Sequence, residues 1–243
     1  MHHIHSNNNM KKSTRINLYL KEHNITTRRG ADELIQKGLV KINGVKARLG
    51  DQVFPSDVVT VDNRVLEKVQ EYVYFAYNKP RGVSTTASTP GEKDILGTTT
   101  FPTAVFPVGR LDKASHGLII MTNDGRVTDR LLNPKGIHEK EYIVETDKSI
   151  KGVDLVKMEK GIRIEREKTL PCVATKINQT TMSIIITEGK KHQVRRMCAA
   201  FGYQVEDLER IRIANITLAG LKPGMFRSFT EKEKTIFMQA LGL

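Results

Sequence analysis

The sequence predicts an α+β protein, a small α-α-β unit followed by a larger domain in which strands outnumber helices. Three observations carry this. Before residue 40, apolar residues twice recur at helical spacing. Beyond residue 72, short β-rich runs alternate with single helical stretches. Between the two regions, the polar stretch 63–71, "NRVLEKVQE", reads as a linker. At 243 residues the chain is long enough for two such domains, with a sizeable core and no need of disulfides.

The elements follow in order. Residues 1–13 open on "MHHIHSNNN", which lacks the apolar core of a signal peptide and reads as a disordered leader. Thr14 precedes "RINLYLKEH", a helix with Ile16, Tyr19 and Leu20 on one face. A second helix follows Thr26 or Thr27 in "TRRGADELIQKG", burying Ala31, Leu34 and Ile35, with Gly38 as its stop. "LVKINGVKA" is a hairpin turning at Asn43-Gly44, and "DQVFPSDVVTVD" adds a turn and a strand that closes the unit at residue 62.

The larger domain, 72–243, begins with "YVYFAYNKPRG", a strand ended by Pro80 and Gly82. Residues 85–100, rich in Thr, Ser, Pro and Gly, are expected to form a mobile loop. "GLIIMTN" is a buried strand and "DGRVTDRLLN" a short helix. "EKEYIVET" is a strand with Tyr142 and Val144 on one face, and "TMSIIITEG" is another. The helix in "KKHQVRRMCAAFG" buries Val194, Met197, Cys198 and Phe201 and ends at Gly202; His192 and Arg195, three apart, share a neighbouring face. "RIRIANITL" is a further strand. Thr230 and Glu233 form a capping box for a final helix that buries Ile236, Phe237, Ala240 and Leu241.

Charge points to a polyanionic partner. The net charge is +12, and residues 11–48 alone hold ten basic and three acidic side chains. Such a local excess favours nucleic acid, because phosphate contacts release counterions; read from charge alone, a merely basic surface is the other possibility. No apolar run approaches the roughly 18–20 residues of a membrane span. Cys172 and Cys198 lie in apolar contexts without metal-ligand spacing and read as reduced thiols, so a cytoplasmic protein is expected.

"PVGRLDKASHGLIIMTNDG" (107–125) places Asp112 between a Gly-Arg-Leu turn and an apolar strand. Alone, an Asp there is as well explained as a turn residue. Arg110 and Lys113 flank it, however, and "HQVRRM" supplies more cations; a cation nearby keeps a partly buried carboxylate ionised. No Ser-His-Asp order, HExxH, phosphate-binding loop or dinucleotide fingerprint occurs in the sequence.

Two resemblances sharpen this. Residues 14–62, through "RINLYL", "TTRRGADELIQKGLVKINGV" and "GDQVFPSDVV", resemble an S4 RNA-binding domain, which implies RNA contacts from Arg15, Arg28, Arg29, Lys37, Lys41 and Asn43. "NKPRGVSTT", "FPVGRLDKASHGLIIMTNDG", "HEKEYIV", "EGKKHQVRRMCAAFG" and "LERIRIANITLAGLKPG" occur in the order of the RsuA-type RNA pseudouridine synthases, and the last is most similar to the RluF branch. That resemblance implies a mixed, mainly antiparallel catalytic domain. It makes Asp112 the nucleophile, Tyr142 the aromatic stacked on a flipped uridine and Arg195 the ion-pair partner of Asp112. Leu208 would pack on the base, and Arg110, His192 and Arg196 would add RNA contacts. The implied reaction is uridine isomerisation without cofactor or metal, in structured RNA, with large-subunit (23S) rRNA as the expected target; a monomer is expected. Small-subunit (16S) rRNA or tRNA is the alternative target. A non-catalytic RNA-binding or ribosome-assembly factor is the alternative class, but it would be expected to show damage in "GRLD" or "QVRRM", and both are intact.

Overall fold

A computed structural model of the chain describes residues 13–23, 25–54, 56–66, 72–133, 136–165 and 167–243. These form two compact units, one within residues 1–71 and one within 72–243. Of the expected leader, residues 1–12 lie outside the described residues.

In the first unit, β1 (Thr14–Arg15) runs into α1 (Ile16–Glu22), and α2 (Arg28–Gln36) follows. Then come β2 (Val40–Ile42), β3 (Val45–Lys46), β4 (Gln52–Val53), β5 (Val59–Val61) and β6 (Arg64–Val65). Thr27 caps α2 by accepting from Gly30 N at 3.1 Å, and Gly38 takes the left-handed conformation just past its end. Asn43 and Gly44, both at positive φ, make the hairpin turn between β2 and β3. Ile16, Leu20, Ala31, Ile35, Val40, Val53 and Val59 bury one core.

Two details differ from the sequence reading. The first helix starts at Ile16, because Thr14 and Arg15 pair with Val53 and Gln52 in a two-stranded ladder. The linker starts later than residue 63, because Arg64 and Val65 pair with Val61 and Thr60 at the edge of the four-stranded antiparallel sheet β3-β2-β5-β6. Residues 67–71 lie outside the described residues.

The second unit contains β7 (Tyr74–Lys79), α3 (Ile95–Thr98), β8 (Phe106–Val108), β9 (His116–Thr122), α4 (Gly125–Leu131), β10 (Lys140–Thr146) and α5 (Gly152–Glu159). It continues with β11 (Arg163–Ile164), β12 (Glu167–Lys168), β13 (Val173–Lys176), β14 (Thr181–Ile186), α6 (Gln193–Ala200), β15 (Val205–Ile213), β16 (Ile216–Thr217), β17 (Phe226–Ser228) and α7 (Glu231–Leu241). The central sheet runs β13-β14-β10-β15-β9-β7-β17, with β8 beside β9 and β16 beside β15. Every pairing in it is antiparallel except β15 with β9. The class is therefore α+β with a mixed, mainly antiparallel sheet, as the sequence indicates.

Apolar strands explain the layering. β7 and β9 are buried on both faces, Tyr74, Ala76, Leu118 and Ile120 packing toward α4 and α7 and Phe75, Tyr77, Ile119 and Met121 toward α3. α7 has the expected capping box, but its buried stripe is Phe237 and Leu241, while Ile236 and Ala240 face solvent. Loop 85–100 is more ordered than its composition suggests. Asp94 caps α3 and also accepts from Ala87 N, and Glu92 accepts from Ser84 and Ser88.

Candidate active site

The loop carrying Asp112 joins β8 to β9 and is held on three sides. Thr85 Oγ1 accepts from Leu111 N (2.9 Å) and donates to Leu111 O (2.8 Å). Gly82 N donates to Lys113 O (2.8 Å), and Ser115 N turns back to Asp112 O (3.0 Å). From α6, Arg195 Nη2 reaches Ala114 O and Ser115 Oγ, each at 3.4 Å, while its Nη1 donates to Val205 O at 3.0 Å. A loop fixed this way presents its one carboxylate in a defined place.

Beyond the loop, β9 lies parallel to β15 with Gly117 opposite Arg210. Gly117 has φ +105°, and a Cβ on it would sit 2.4 Å from Arg210 O, so only glycine permits this approach. β15 in turn pairs with β10, Tyr142 opposite Arg210 and Leu208 opposite Val144. The sheet thus brings Tyr142, Leu208 and Arg210 together beside Asp112.

These four residues line one cleft of about 680 Å³, together with Arg110, Lys140 and His192 and the apolar side chains of Leu131, Ile186 and Ile213. Asp112 is 40% exposed, and Tyr142 is nearly buried with its ring in the core. The electrostatics are cationic. His192 Nε2 stands 3.4 Å from Asp112 Oδ1. The ammonium of Lys79, wholly buried, donates to Pro80 O (3.0 Å) and Val83 O (2.6 Å). Burial pushes its pKa down to about 8, against the pull of the Asp112 charge. On the floor, burial and then the nearby Arg210 hold Lys140 below the usual lysine range. Among the described residues, no group of three or more His, Cys, Asp or Glu is arranged to hold a metal ion.

The candidate residues divide accordingly. Asp112, Tyr142, Leu208, Arg110 and His192 share the cleft. Arg195 makes no ion pair with Asp112. It lies one turn inside α6 and grips the base of the loop, whereas His192, at positive φ before the helix, overhangs the loop tip. Arg196 is turned away and pairs with Glu165 at 2.9 Å. In the first unit Arg15, Arg28, Arg29 and Lys37 are exposed. Lys41 is partly buried, with Nζ donating to Asn63 Oδ1 (2.9 Å). Asn43 is engaged within the fold, donating to Asp57 Oδ1 (2.9 Å) and accepting from Val58 N (2.8 Å).

The sequence reading did not single out Lys79, Lys140 and Arg210 as members of the site. Period-two spacing offered a signal for two of them. Lys140 is two residues before Tyr142, and Arg210 is two after Leu208, so each shares its neighbour's face.

The chain is similar to known proteins over most of its length. Residues 73–200 match the family model described as RNA pseudouridylate synthase, and residues 14–59 match the S4 domain. The chain is 41% identical over 224 residues to "Dual-specificity RNA pseudouridine synthase RluF" of Escherichia coli K12, an alignment spanning 91% of this chain and 77% of that one. It is 38% identical to "Ribosomal large subunit pseudouridine synthase B" of Bacillus subtilis, over 86% of this chain and 89% of that one. Among solved structures, one titled "Crystal structure of pseudouridylate synthase" superposes with a TM-score of 0.67 at 29% identity, covering 93% of this chain and all of the other.

Proposed function

The chain belongs to the RNA pseudouridylate synthase family and is an RNA pseudouridine synthase with an N-terminal S4 domain, and we propose that Asp112 is its nucleophile and a uridine of large-subunit rRNA its target. One observation carries the first part: Asp112 opens onto a cleft whose walls include Tyr142 and Leu208, the aromatic and apolar surfaces a flipped pyrimidine needs.

The steps follow from that placement. A uridine in structured RNA leaves its stack at a cost of a few kcal/mol, and stacking on Tyr142 returns about 1–3 kcal/mol. The Asp112 carboxylate, with His192 Nε2 3.4 Å from its Oδ1, attacks C1′ of the ribose or C6 of the base. The C1′–N1 bond breaks, the base rotates beside Tyr142 and Leu208, C5 bonds to C1′, and the bond to Asp112 breaks, returning the free carboxylate. The proton on C5 leaves, a step assigned to Tyr142, and N1 gains a proton, so the product is an isomer of the substrate. Phosphate contacts from Arg15, Arg28, Arg29 and Lys37 supply affinity without reading sequence. Action as a monomer on RNA in the cytoplasm belongs to the same proposal.

The target rests on the relative named for the ribosomal large subunit; the dual-specificity name of the other relatives favours a second RNA beside it. Pseudouridine mapping in large-subunit rRNA, small-subunit rRNA and tRNA from a strain lacking this gene tests both. Loss of a large-subunit site is expected. Loss confined to small-subunit rRNA or tRNA would overturn the target while leaving the chemistry intact.

A further inference from the structure

The floor of the cleft holds two cations for which the steps above have no use. Arg210 is 4% exposed; its Nε donates to Leu118 O at 2.7 Å, and its Nη2 is buried with no protein partner. Lys140 Nζ donates to His138 O at 3.1 Å. Neither side chain has a carboxylate in ion-pair range among the described residues. Both line the cleft that contains Asp112. Their strands explain the convergence. Arg210 stands opposite Tyr142 across the β10–β15 ladder, and Lys140 precedes Tyr142 by two residues on the same face. Two neighbouring cations raise each other's energy, and burial with Arg210 nearby lowers the proton affinity of Lys140 accordingly.

A buried donor without an acceptor is unfavourable and calls for a ligand. An acceptor entering the cleft passes Tyr142 and Leu208, which line it with Arg210 and Lys140. The base edge arrives at that depth, whereas the phosphates remain with the backbone outside. The chemistry also demands a counter-charge there. When the C1′–N1 bond breaks, its electron pair passes to the ring and is shared between N1 and the carbonyl oxygens. It returns to C1′ when C5 attacks and the C5 proton leaves. We propose that Arg210 and Lys140 form a uracil-reading subsite on the cleft floor, donating to a ring carbonyl oxygen and stabilising the anionic base released on glycosidic cleavage. Donors aimed where charge develops act mainly on the transition state. A contact at the C4 carbonyl would also disfavour cytosine, whose C4 amino group is itself a donor. This inference rests on the reading that the target uracil enters beside Asp112.

The test is a cycle between protein and substrate. Single-turnover rates are measured on an rRNA transcript that the wild-type protein modifies, with uridine, 2-thiouridine or 4-thiouridine at the target; sulfur is a poor hydrogen-bond acceptor. The proteins are wild type, Lys140→Met, Arg210→Met and Arg210→Lys. With wild type, sulfur at one of the two positions is expected to slow the reaction about tenfold or more. With Lys140→Met or Arg210→Met the same sulfur is expected to cost less than about twofold, because the contact is already lost. Arg210→Lys is expected to recover part of the rate lost in Arg210→Met. Lys140→Met, whose side chain is only partly buried, keeps the test valid if an Arg210 variant does not fold. A sulfur penalty equal in wild type and variants, or none in wild type, would overturn the subsite. The wild-type rate on the unmodified transcript reports separately whether that RNA is a substrate.

Discussion

His192 Nε2 lies 3.4 Å from Asp112 Oδ1, making a histidine, and not the arginine three residues later, the side chain paired with the proposed nucleophile. His192 and Asp112 are 49% and 40% exposed, so solvent screens the pair and its worth is at most about 1 kcal/mol. His192→Gln is therefore expected to lower kcat/KM less than about tenfold and to leave the unfolding midpoint unchanged. A loss of several hundredfold in steady-state assays would instead assign His192 a proton-transfer role.

Arg195 acts from behind the loop. Its hydrogen bonds to Val205 O and Ala114 O tie the start of β15 to the segment bearing Asp112. Arg195→Met is expected to cost about 1–2 kcal/mol in urea unfolding and to lower kcat with little change in KM for RNA, since the carboxylate loses its fixed position. A variant that kept full kcat would contradict this role.

Gly117 sets how closely the loop strand approaches β15. With φ +105° and Arg210 O 2.4 Å from where a Cβ would lie, Gly117→Ala is expected to destabilise the protein by about 3 kcal/mol or more. Thermal unfolding measures it. An unchanged midpoint would mean that the two strands can separate without loss.

Much of this is legible in the sequence, for physical reasons that particular residues illustrate. Thr27, Gly38, Asn43-Gly44 and the Thr230–Glu233 box act through nearest neighbours, and each stands where local rules put it. The final helix has the right length, but its buried face is offset by one residue, because Ile236 and Phe237 are equally apolar and only packing selects between them. Thr14 pairs with Val53 from the far end of its unit, a partner no local pattern discloses. In the cleft, Asp112, Tyr142 and Leu208 are legible through motif order. The exchange of Arg195 for His192 at the carboxylate depends on a left-handed backbone at His192, which sequence does not announce. Arg210 is hidden within a run that reads simply as a strand.

The final helix carries a pH dependence. Arg227 donates to both Glu233 oxygens at 2.8 Å and Thr230 N adds a third bond, which together hold the Glu233 pKa down at about 2. The folded state thus binds fewer protons than the unfolded state. The stabilisation is present above the ordinary glutamate value of about 4.3 and is lost as pH falls towards about 2. Wild type is expected to exceed Glu233→Gln by about 2 kcal/mol at neutral pH, the gap closing below about pH 4. Urea unfolding of both proteins across that range measures it, and a gap that widened in acid would contradict the sign.

Tritium release from RNA labelled at uridine C5 addresses the central assignment most directly, with wild type compared with Asp112→Asn on large-subunit, small-subunit and tRNA transcripts. Asn is a neutral amide, nearly isosteric with Asp but a far poorer nucleophile. Release by wild type from the large-subunit transcript is expected, with none from Asp112→Asn and RNA affinity largely retained. Release by Asp112→Asn at the wild-type rate would show that the carboxylate of Asp112 is not the nucleophile.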